Sequence, residues 1–299
     1  MWPLVQCGLK PKFIDININT FCLDEKLLAN KEFKDSKAIM NIHILGNSPD
    51  IKKISQFAKK NNMFLIEDTC EALGSKFKSK YLGTYGDFGT FSFYYSHQIT
   101  SGEGGMVVCK TKEDYEILHT LRAHGWDRGL KTNIKKNNFN FINSGFNLRP
   151  LDLTASIGLS QLKRLKNMMK IRKQNRDIII NRIKSSYKWK NQFSFFEPNE
   201  GLKPSWFGLP IIINPEYKKY KDKFMRYLNS KGIETRPILS GNFLNQPSAK
   251  LYNFHLNKEK YRISQDIEDR GFFIGLPTLA ISKTTMLFLV ENLLNIENC

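Results

Sequence analysis

One stretch of the chain leaves little freedom in how it can fold. An apolar run from Ala38 to Leu45, with His43 inside it, reads as a strand. Gly46-Asn47-Ser48-Pro49 then turns into a helix with Ser48 as its cap and Pro49 at the first helical position. In that helix Ile51, Ile54, Phe57 and Ala58 share one face, while Lys52, Lys53, Lys59 and Lys60 fall mostly outside it. Met63 to Ile66 is a second buried-type strand and delivers Glu67-Asp68 at its C-terminal end. A strand, a crossover helix and a second strand make a βαβ unit. Its strands run parallel, and the carboxyl ends of the strands become the functional edge.

The pattern continues. Lys12 to Ile16 is a short β-branched run, Gly89 to Tyr95 reads as a strand, Ser96 to Gly105 as a loop, and Met106 to Cys109 as a strand again. Thr111 caps a helix whose Tyr115, Leu118 and Leu121 are expected to face inward and whose end is marked by His124-Gly125. After a polar loop over 127–144, Leu151, Ala155, Leu159, Leu162, Leu165 and Met169 keep the helical period. That pattern predicts one long helix over about 151–185, joining a large domain (1–165) to a small one (166–299). In the small domain Trp206 to Ile213 reads as a strand, Tyr217 to Lys231 as a helix stopped by Gly232, and Ile233 to Ile238 as a strand.

Composition excludes several classes. At 299 residues, with 41% hydrophobic and 25% charged residues, the chain can bury a sizeable core. No apolar run approaches the roughly 20 residues that cross a bilayer. Met1-Trp2-Pro3-Leu4 lacks the basic and apolar segments of a secretory signal, so a cytoplasmic location is expected and no membrane partner. Five scattered cysteines without a C-x-x-C pair suggest neither a disulfide framework nor a zinc cluster. The net charge of +18 is spread among many Asn and Ile residues, and no basic block is interleaved with aromatics. That argues against nucleic acid and suits a phosphorylated small molecule equally well.

Four places can carry chemistry. Asp68, at a strand terminus, is either a turn or capping aspartate or the partner of a buried cationic ring nitrogen. The segment Ser92 to Gly105 offers a hydroxyl beside a Gly-rich turn, which is either a plain turn or a place where backbone N–H groups approach a phosphate. His97, 29 residues after Asp68, is either structural or a proton carrier titrating near neutrality. Asn147 and Arg149 precede the long helix and either start it or reach a phosphate or sugar.

Taken in order, Ile66-Glu67-Asp68-Thr69-Cys70-Glu71-Ala72-Leu73-Gly74, Gly86-Asp87, Phe91-Ser92-Phe93 through Gly102-Glu103-Gly104-Gly105-Met106, Leu121-Arg122-Ala123-His124-Gly125 and Gly145-Phe146-Asn147-Leu148-Arg149-Pro150 resemble the DegT/DnrJ/EryC1/StrS sugar aminotransferase family. The resemblance implies an α/β, aspartate-aminotransferase-like fold (PLP fold type I), with a mixed, mostly parallel sheet in the large domain and a small C-terminal α/β domain. It also implies pyridoxal 5'-phosphate or pyridoxamine 5'-phosphate as cofactor. Asp68 would pair with the pyridine nitrogen, Glu71 would lie beside the ring hydroxyl, and Ser92 would bind the phosphate. Asn147 would reach the same phosphate of a neighbouring subunit in a homodimer.

Most members of the family carry a lysine where this chain has His97. Imidazole cannot form a Schiff base, so the cofactor is expected to be held noncovalently, with His97 as the base. The exchange is similar to that in the branch of 3-dehydratases acting on nucleotide-linked 4-keto-6-deoxyhexoses in deoxysugar and lipopolysaccharide synthesis. The cysteine spacings do not assemble a [2Fe–2S] site, so no iron–sulfur cluster is expected and the iron-free GDP-sugar type is favoured, with an amino donor such as glutamate. Glu234 to Phe243 also resembles this branch, and Arg236 or Asn242 would meet the sugar or the donor carboxylate; a structural salt bridge is the other reading of Arg236. Family members normally carry several tens of residues ahead of the segment resembling Trp2-Pro3-Leu4, so an N-terminally truncated gene, a split gene or a mis-called start codon is expected. The competing expectations are a sugar aminotransferase that has lost its lysine and an inactive binding subunit.

Overall fold

The computed structural model describes residues 2–130, 139–252 and 258–299, so the middle of the polar loop expected over 127–144 lies outside the described residues. A short helix, α1 (Trp2–Gln6), opens the chain. The first apolar run forms β1 (Ala38–Ile42), three residues shorter than its pattern suggests. Ile44–Gly46 wind instead into a 3-10 turn with Leu45 at φ 53° and Gly46 at φ 93°. A Cβ on Gly46 would sit 2.3 Å from the Ser205 carbonyl oxygen, so only glycine allows the backbones to approach this closely.

Helix α2 (Ile51–Lys60) starts two residues later than expected. Asp50 is the better cap: its carboxylate accepts the Lys53 N–H at 3.2 Å, while the Ser48 hydroxyl is turned to the Pro49 carbonyl oxygen. Ile51, Ile54 and Ala58 are buried and the four lysines exposed, as the periodicity requires. Next come β2 (Phe64–Asp68), β3 (Lys76–Phe77), β4 (Lys80–Tyr81), β5 (Phe88–Ser92) and β6 (Gly105–Cys109). The first sheet has the order β1-β2-β5-β6, parallel across its first two pairings and antiparallel at the last, which is mixed and mostly parallel.

Helix α3 (Lys112–Leu121) is capped by Thr111, whose hydroxyl accepts the Asp114 N–H. Its expected inward face is not buried: Tyr115 is exposed, and Thr120 is the buried residue of the helix. The expected continuous helix is two, α4 (Asp152–Leu162) and α5 (Leu165–Lys184). The chain tightens between them, where the Arg164 N–H bonds back to the Gln161 carbonyl oxygen at 2.9 Å. The halves differ in surroundings: α4 buries no residue, whereas α5 buries Met168, Arg172, Asn175, Arg176, Ile179, Ile180 and Ile183.

Then follow β7 (Phe193–Phe195), β8 (Leu202–Lys203), β9 (Gly208–Ile213), α6 (Lys221–Ser230), β10 (Thr235–Arg236), α7 (Arg262–Arg270), β11 (Gly271–Gly275) and α8 (Lys283–Leu293). The second sheet, β10-β11-β9-β7, is antiparallel throughout, and β8 joins β3 and β4 in a small third sheet. Strand β10 is shorter than expected because Pro237 has no N–H to continue the ladder. Likewise the helix expected from Tyr217 begins as a 3-10 segment, Pro215–Tyr220, before α6.

The main core surrounds the second sheet: Ile179, Ile183, Leu209, Ile211, Phe224, Leu228 and Leu293 are fully enclosed there. Phe21, Cys22, Ile44 and Leu45 from the first part of the chain enter the same core. The turn after β1 is thereby pinned between the two sheets. Among the described residues no helix is long and apolar enough to cross a membrane.

Candidate active site

Glu67 and Asp68 are neighbours on β2, and strand geometry sends them to opposite faces of the sheet. Glu67 points into the protein and is wholly buried. It meets His43 Nε2 at 2.9 Å and accepts the N–H groups of Gly83 at 2.9 Å, Tyr85 at 2.6 Å and Gly86 at 2.6 Å. Because the carboxylate only accepts, His43 Nε2 carries the proton of that bond. Burial pushes the Glu67 carboxyl upward, but His43 and the backbone donors outweigh it and hold it below the usual range. Glu67 thus clamps the 83–86 loop beneath the sheet.

Asp68 faces the other way, half-buried at the functional edge. Its Oδ1 accepts the Cys70 N–H at 3.1 Å. Burial, with Asp68 next, pushes the neighbouring Cys70 thiol up to about 12, so it is an inert thiol. Asp68 forms no ion pair within the described residues. A carboxylate left without a cation at the carboxyl end of β2 suits a protonated ring nitrogen, although Asp68 is not itself a wall of either cavity described below.

Glu71 is held by the turn that follows β1: its Oε2 accepts the Leu45 N–H at 2.9 Å. Burial pushes its carboxyl from 4.5 up to about 7, the Leu45 bond opposes this, and the charge of Asp68 adds to it. The raised value means that folding favours the protonated form. The fold is therefore most stable, so far as Glu71 is concerned, below pH 4.5, and loses stability as pH rises from 4.5 to about 7. Glu71→Gln keeps the acceptor for Leu45 and removes the titration. In urea unfolding of the cofactor-free protein, the variant should gain about 1–3 kcal/mol on wild type between pH 4.5 and pH 8. A difference independent of pH would contradict the assignment.

His97 lies in the loop after β5, in a turn closed by its own N–H to the Tyr94 carbonyl oxygen. Its ring stands edge-on to Tyr94, 5.8 Å between centroids, and to Phe207, 5.4 Å. Nδ1 is buried without a partner. Burial lowers the imidazole below 6.5, and the Ser92 carbonyl and the Asp68 charge, which act the other way, do not offset it. His97 is therefore neutral, a free base, at pH 7. Ser92 ends β5 with its Oγ accepting the Tyr94 N–H at 3.2 Å, leaving its own hydroxyl hydrogen to give to a phosphate oxygen.

Glu71, His97, Arg236, Tyr94 and Phe207 line one cavity of about 310 Å³. It adjoins a second, of about 370 Å³, through the shared walls Ser96, Phe207, Arg236 and Phe273. Arg236 is also paired with Glu234 at 2.8 Å. Asn242 lies elsewhere: it is buried, caps the Phe243–Asn245 turn through the Leu244 N–H, and donates to Gln265 Oε1 at 3.2 Å. Asn147 is exposed and bridged through its backbone to Ala123, outside both cavities of this chain. Arg172 and Phe207, which the motifs did not single out, supply walls of the cavities. The signal for Arg172 was present as a cation on the buried stripe of α5. Of the residues expected to hold the cofactor, Glu71 and His97 are walls of one cavity and Asp68 and Ser92 of neither; among the described residues no lysine lines either cavity, so none offers a covalent tether there.

The model of the DegT/DnrJ/EryC1/StrS aminotransferase family matches residues 2–280. The GDP-4-keto-6-deoxy-D-mannose 3-dehydratase of Escherichia coli O55:H7 is 34% identical over 284 residues, covering 92% of this chain and 72% of that protein. A structure of the E. coli GDP-4-keto-6-deoxy-D-mannose-3-dehydratase with bound hydrated PLP superposes with a TM-score of 0.88 at 33% identity, over 98% of this chain and 76% of that one. A structure of GDP-4-keto-6-deoxymannose-3-dehydratase with a trapped PLP-glutamate geminal diamine gives 0.87 at 33% identity, again over 98% and 76%.

Proposed function

The chain belongs to the DegT/DnrJ/EryC1/StrS aminotransferase family, and from its site we propose that it is a 3-dehydratase removing the C3 hydroxyl of a nucleotide-linked 4-keto-6-deoxyhexose. The first substrate to test is the GDP-linked 4-keto-6-deoxymannose on which its relatives act, in deoxysugar synthesis for lipopolysaccharide. The observation that carries the reading is His97, a neutral imidazole with a buried, partnerless Nδ1, standing in a chamber that no lysine lines.

Bound pyridoxamine phosphate supplies an amine that condenses with the keto group and a ring that accepts electrons. Asp68 holds a proton at the ring nitrogen through its unpaired carboxylate. Ser92 gives its hydroxyl to the phosphate. His97 takes a proton at the reacting carbon, its free-base state being present at pH 7. Glu71, tied to the Leu45 N–H, fixes the edge of the chamber next to the ring hydroxyl. Phe207 and Tyr94 stand edge-on to the imidazole and orient it. Glutamate would serve as the amino donor. Residues 1–165 would hold the cofactor, and residues 166–299 contribute Phe207, Arg236 and Phe273 to the walls of the cavities. A nucleotide-activated sugar and glutamate meet in the cytoplasm, where the enzyme works.

The test is loss of the C3 oxygen from the GDP-ketosugar with added pyridoxamine phosphate and glutamate, together with borohydride treatment of the loaded protein. Deoxygenation with no borohydride-trapped adduct is expected. Amination without deoxygenation, or a trapped adduct, would point to an aminotransferase instead.

The enzyme acts as a homodimer through the face that carries α4. That helix buries no side chain over its 11 residues. Leu153 is 70%, Leu159 63% and Leu162 50% exposed on it, more apolar surface than a lone soluble helix tolerates. Asn147, exposed and five residues ahead of α4, would reach a neighbour's cofactor phosphate across this face. Light scattering should give twice 34.8 kDa for the native protein, and Leu153→Asp with Leu159→Asp should give monomer with cofactor binding at least about tenfold weaker. A native monomer that binds cofactor fully would refute this assembly.

A further inference from the structure

Arg172 has a charge that no carboxylate among the described residues answers. It lies on the buried face of α5 and is 8% exposed. Its Nε–H donates to the Leu276 carbonyl oxygen at 3.1 Å. Nη1 is buried with no partner, and no carboxylate pairs with the guanidinium among the described residues. Arg176, one turn further on, shows what a structural arginine looks like here: it pairs with Asp177 and Glu197 and lies over the Trp206 ring. Arginine cannot shed its proton to escape the cost of burial, so an unpaired guanidinium is expensive to hold in the free protein.

Its position gives that cost a use. Arg172 forms a wall of the larger cavity with Arg236, Glu234 and Phe273. Glu234 already balances Arg236 at 2.8 Å, so the uncompensated charge of that cavity is Arg172. The cavity adjoins the chamber of His97, with which it shares Ser96, Phe207, Arg236 and Phe273 as walls. With Nε engaged, two terminal nitrogens without protein partners remain, an arrangement suited to two oxygens of one anion.

We propose that Arg172 binds an oxyanion of a ligand of this enzyme, either a phosphoryl group of the nucleotide sugar or a carboxylate of the amino donor. The assignment of the ligands rests on the dehydratase reading; the anion site itself rests on Arg172 and its cavity.

The experiment uses Arg172→Met, which keeps the length of the stem, and Arg172→Lys, which keeps the charge. Thermal unfolding is measured without ligand, and binding of GDP, inorganic pyrophosphate and L-glutamate is measured by calorimetry on the cofactor-free protein. Wild type should bind at least one of them. Arg172→Met should melt no lower than wild type and bind that ligand at least about tenfold more weakly; Arg172→Lys should lose part of the affinity. Weakened GDP and pyrophosphate together identify the phosphoryl source, and weakened glutamate alone the carboxylate. Unchanged affinities in Arg172→Lys and Arg172→Met, or a wild type that binds none of the three, would overturn the proposal. Should Arg172→Met not fold, the role is structural if Arg172→Lys binds all three as wild type does. Cofactor binding to wild type, followed by absorbance, tests the dehydratase reading separately.

Discussion

His97→Asn is expected to slow deoxygenation by about 10²–10⁴-fold, the range over which a positioned proton carrier acts, with cofactor and GDP-sugar binding near the wild-type level. Asparagine fills similar space and stays polar, so the edge contacts with Tyr94 and Phe207 lose a ring but the loop keeps its backbone turn. What disappears is the one group in the chamber that is a free base at pH 7 by virtue of burial. Glu71 does not replace it, because its carboxylate is bound to the Leu45 N–H and burial holds much of it protonated near neutrality. Single-turnover loss of the C3 oxygen in wild type and variant is the measurement, and an undiminished rate would remove His97 from the reaction. A companion variant, His97→Lys, restores an amine able to tether the cofactor. It should become sensitive to borohydride and should lose dehydration; full dehydration in that variant would also count against His97 as the base.

Glu67→Ala should cost about 3–5 kcal/mol of stability, the scale for removing one partner from a buried carboxylate network. Four donors converge on that carboxylate: His43 and the N–H groups of Gly83, Tyr85 and Gly86. Removing the acceptor leaves all of them buried and unsatisfied, each at a desolvation cost. Glu67→Gln should fall in between, since one amide oxygen still accepts while the amide N–H₂ opposes the remaining donors. Urea unfolding at pH 7 measures both. The Glu67 carboxyl is held below its usual range, so this stabilisation is complete above pH 4.5 and is lost as pH falls through the folded value. An alanine variant within about 1 kcal/mol of wild type would show that the 83–86 loop is held by other contacts.

The same β2 dipeptide separates what could be read early from what could not. Alternation along a strand requires Glu67 and Asp68 to face opposite sides, and the motif marked Asp68 as the residue for chemistry. That Glu67 is the anchor of a loop 16 to 19 residues later is a long-range fact with no local signature. Asn242 shows the converse: a segment resembling the family placed it near substrate, and the fold uses it to cap a turn against α7. Capping and ligand binding call on the same side chain, and only packing chooses between them. The break between α4 and α5 belongs with these cases, since the helical period continues through 163–164 while the surroundings change from open surface to core.

By itself, the sequence determined the βαβ unit, the mostly parallel first sheet, the family, and the exchange that puts an imidazole at position 97, because hydrophobic period and short motifs are local properties of the chain. Only the tertiary structure decided that His97 is walled by Phe207, that Leu45 binds Glu71, and that Arg172 is left without a counter-charge in the wall of the adjoining cavity. Burial, desolvation and pairing arise between segments far apart in the chain, and these set the charge states on which the chemistry depends.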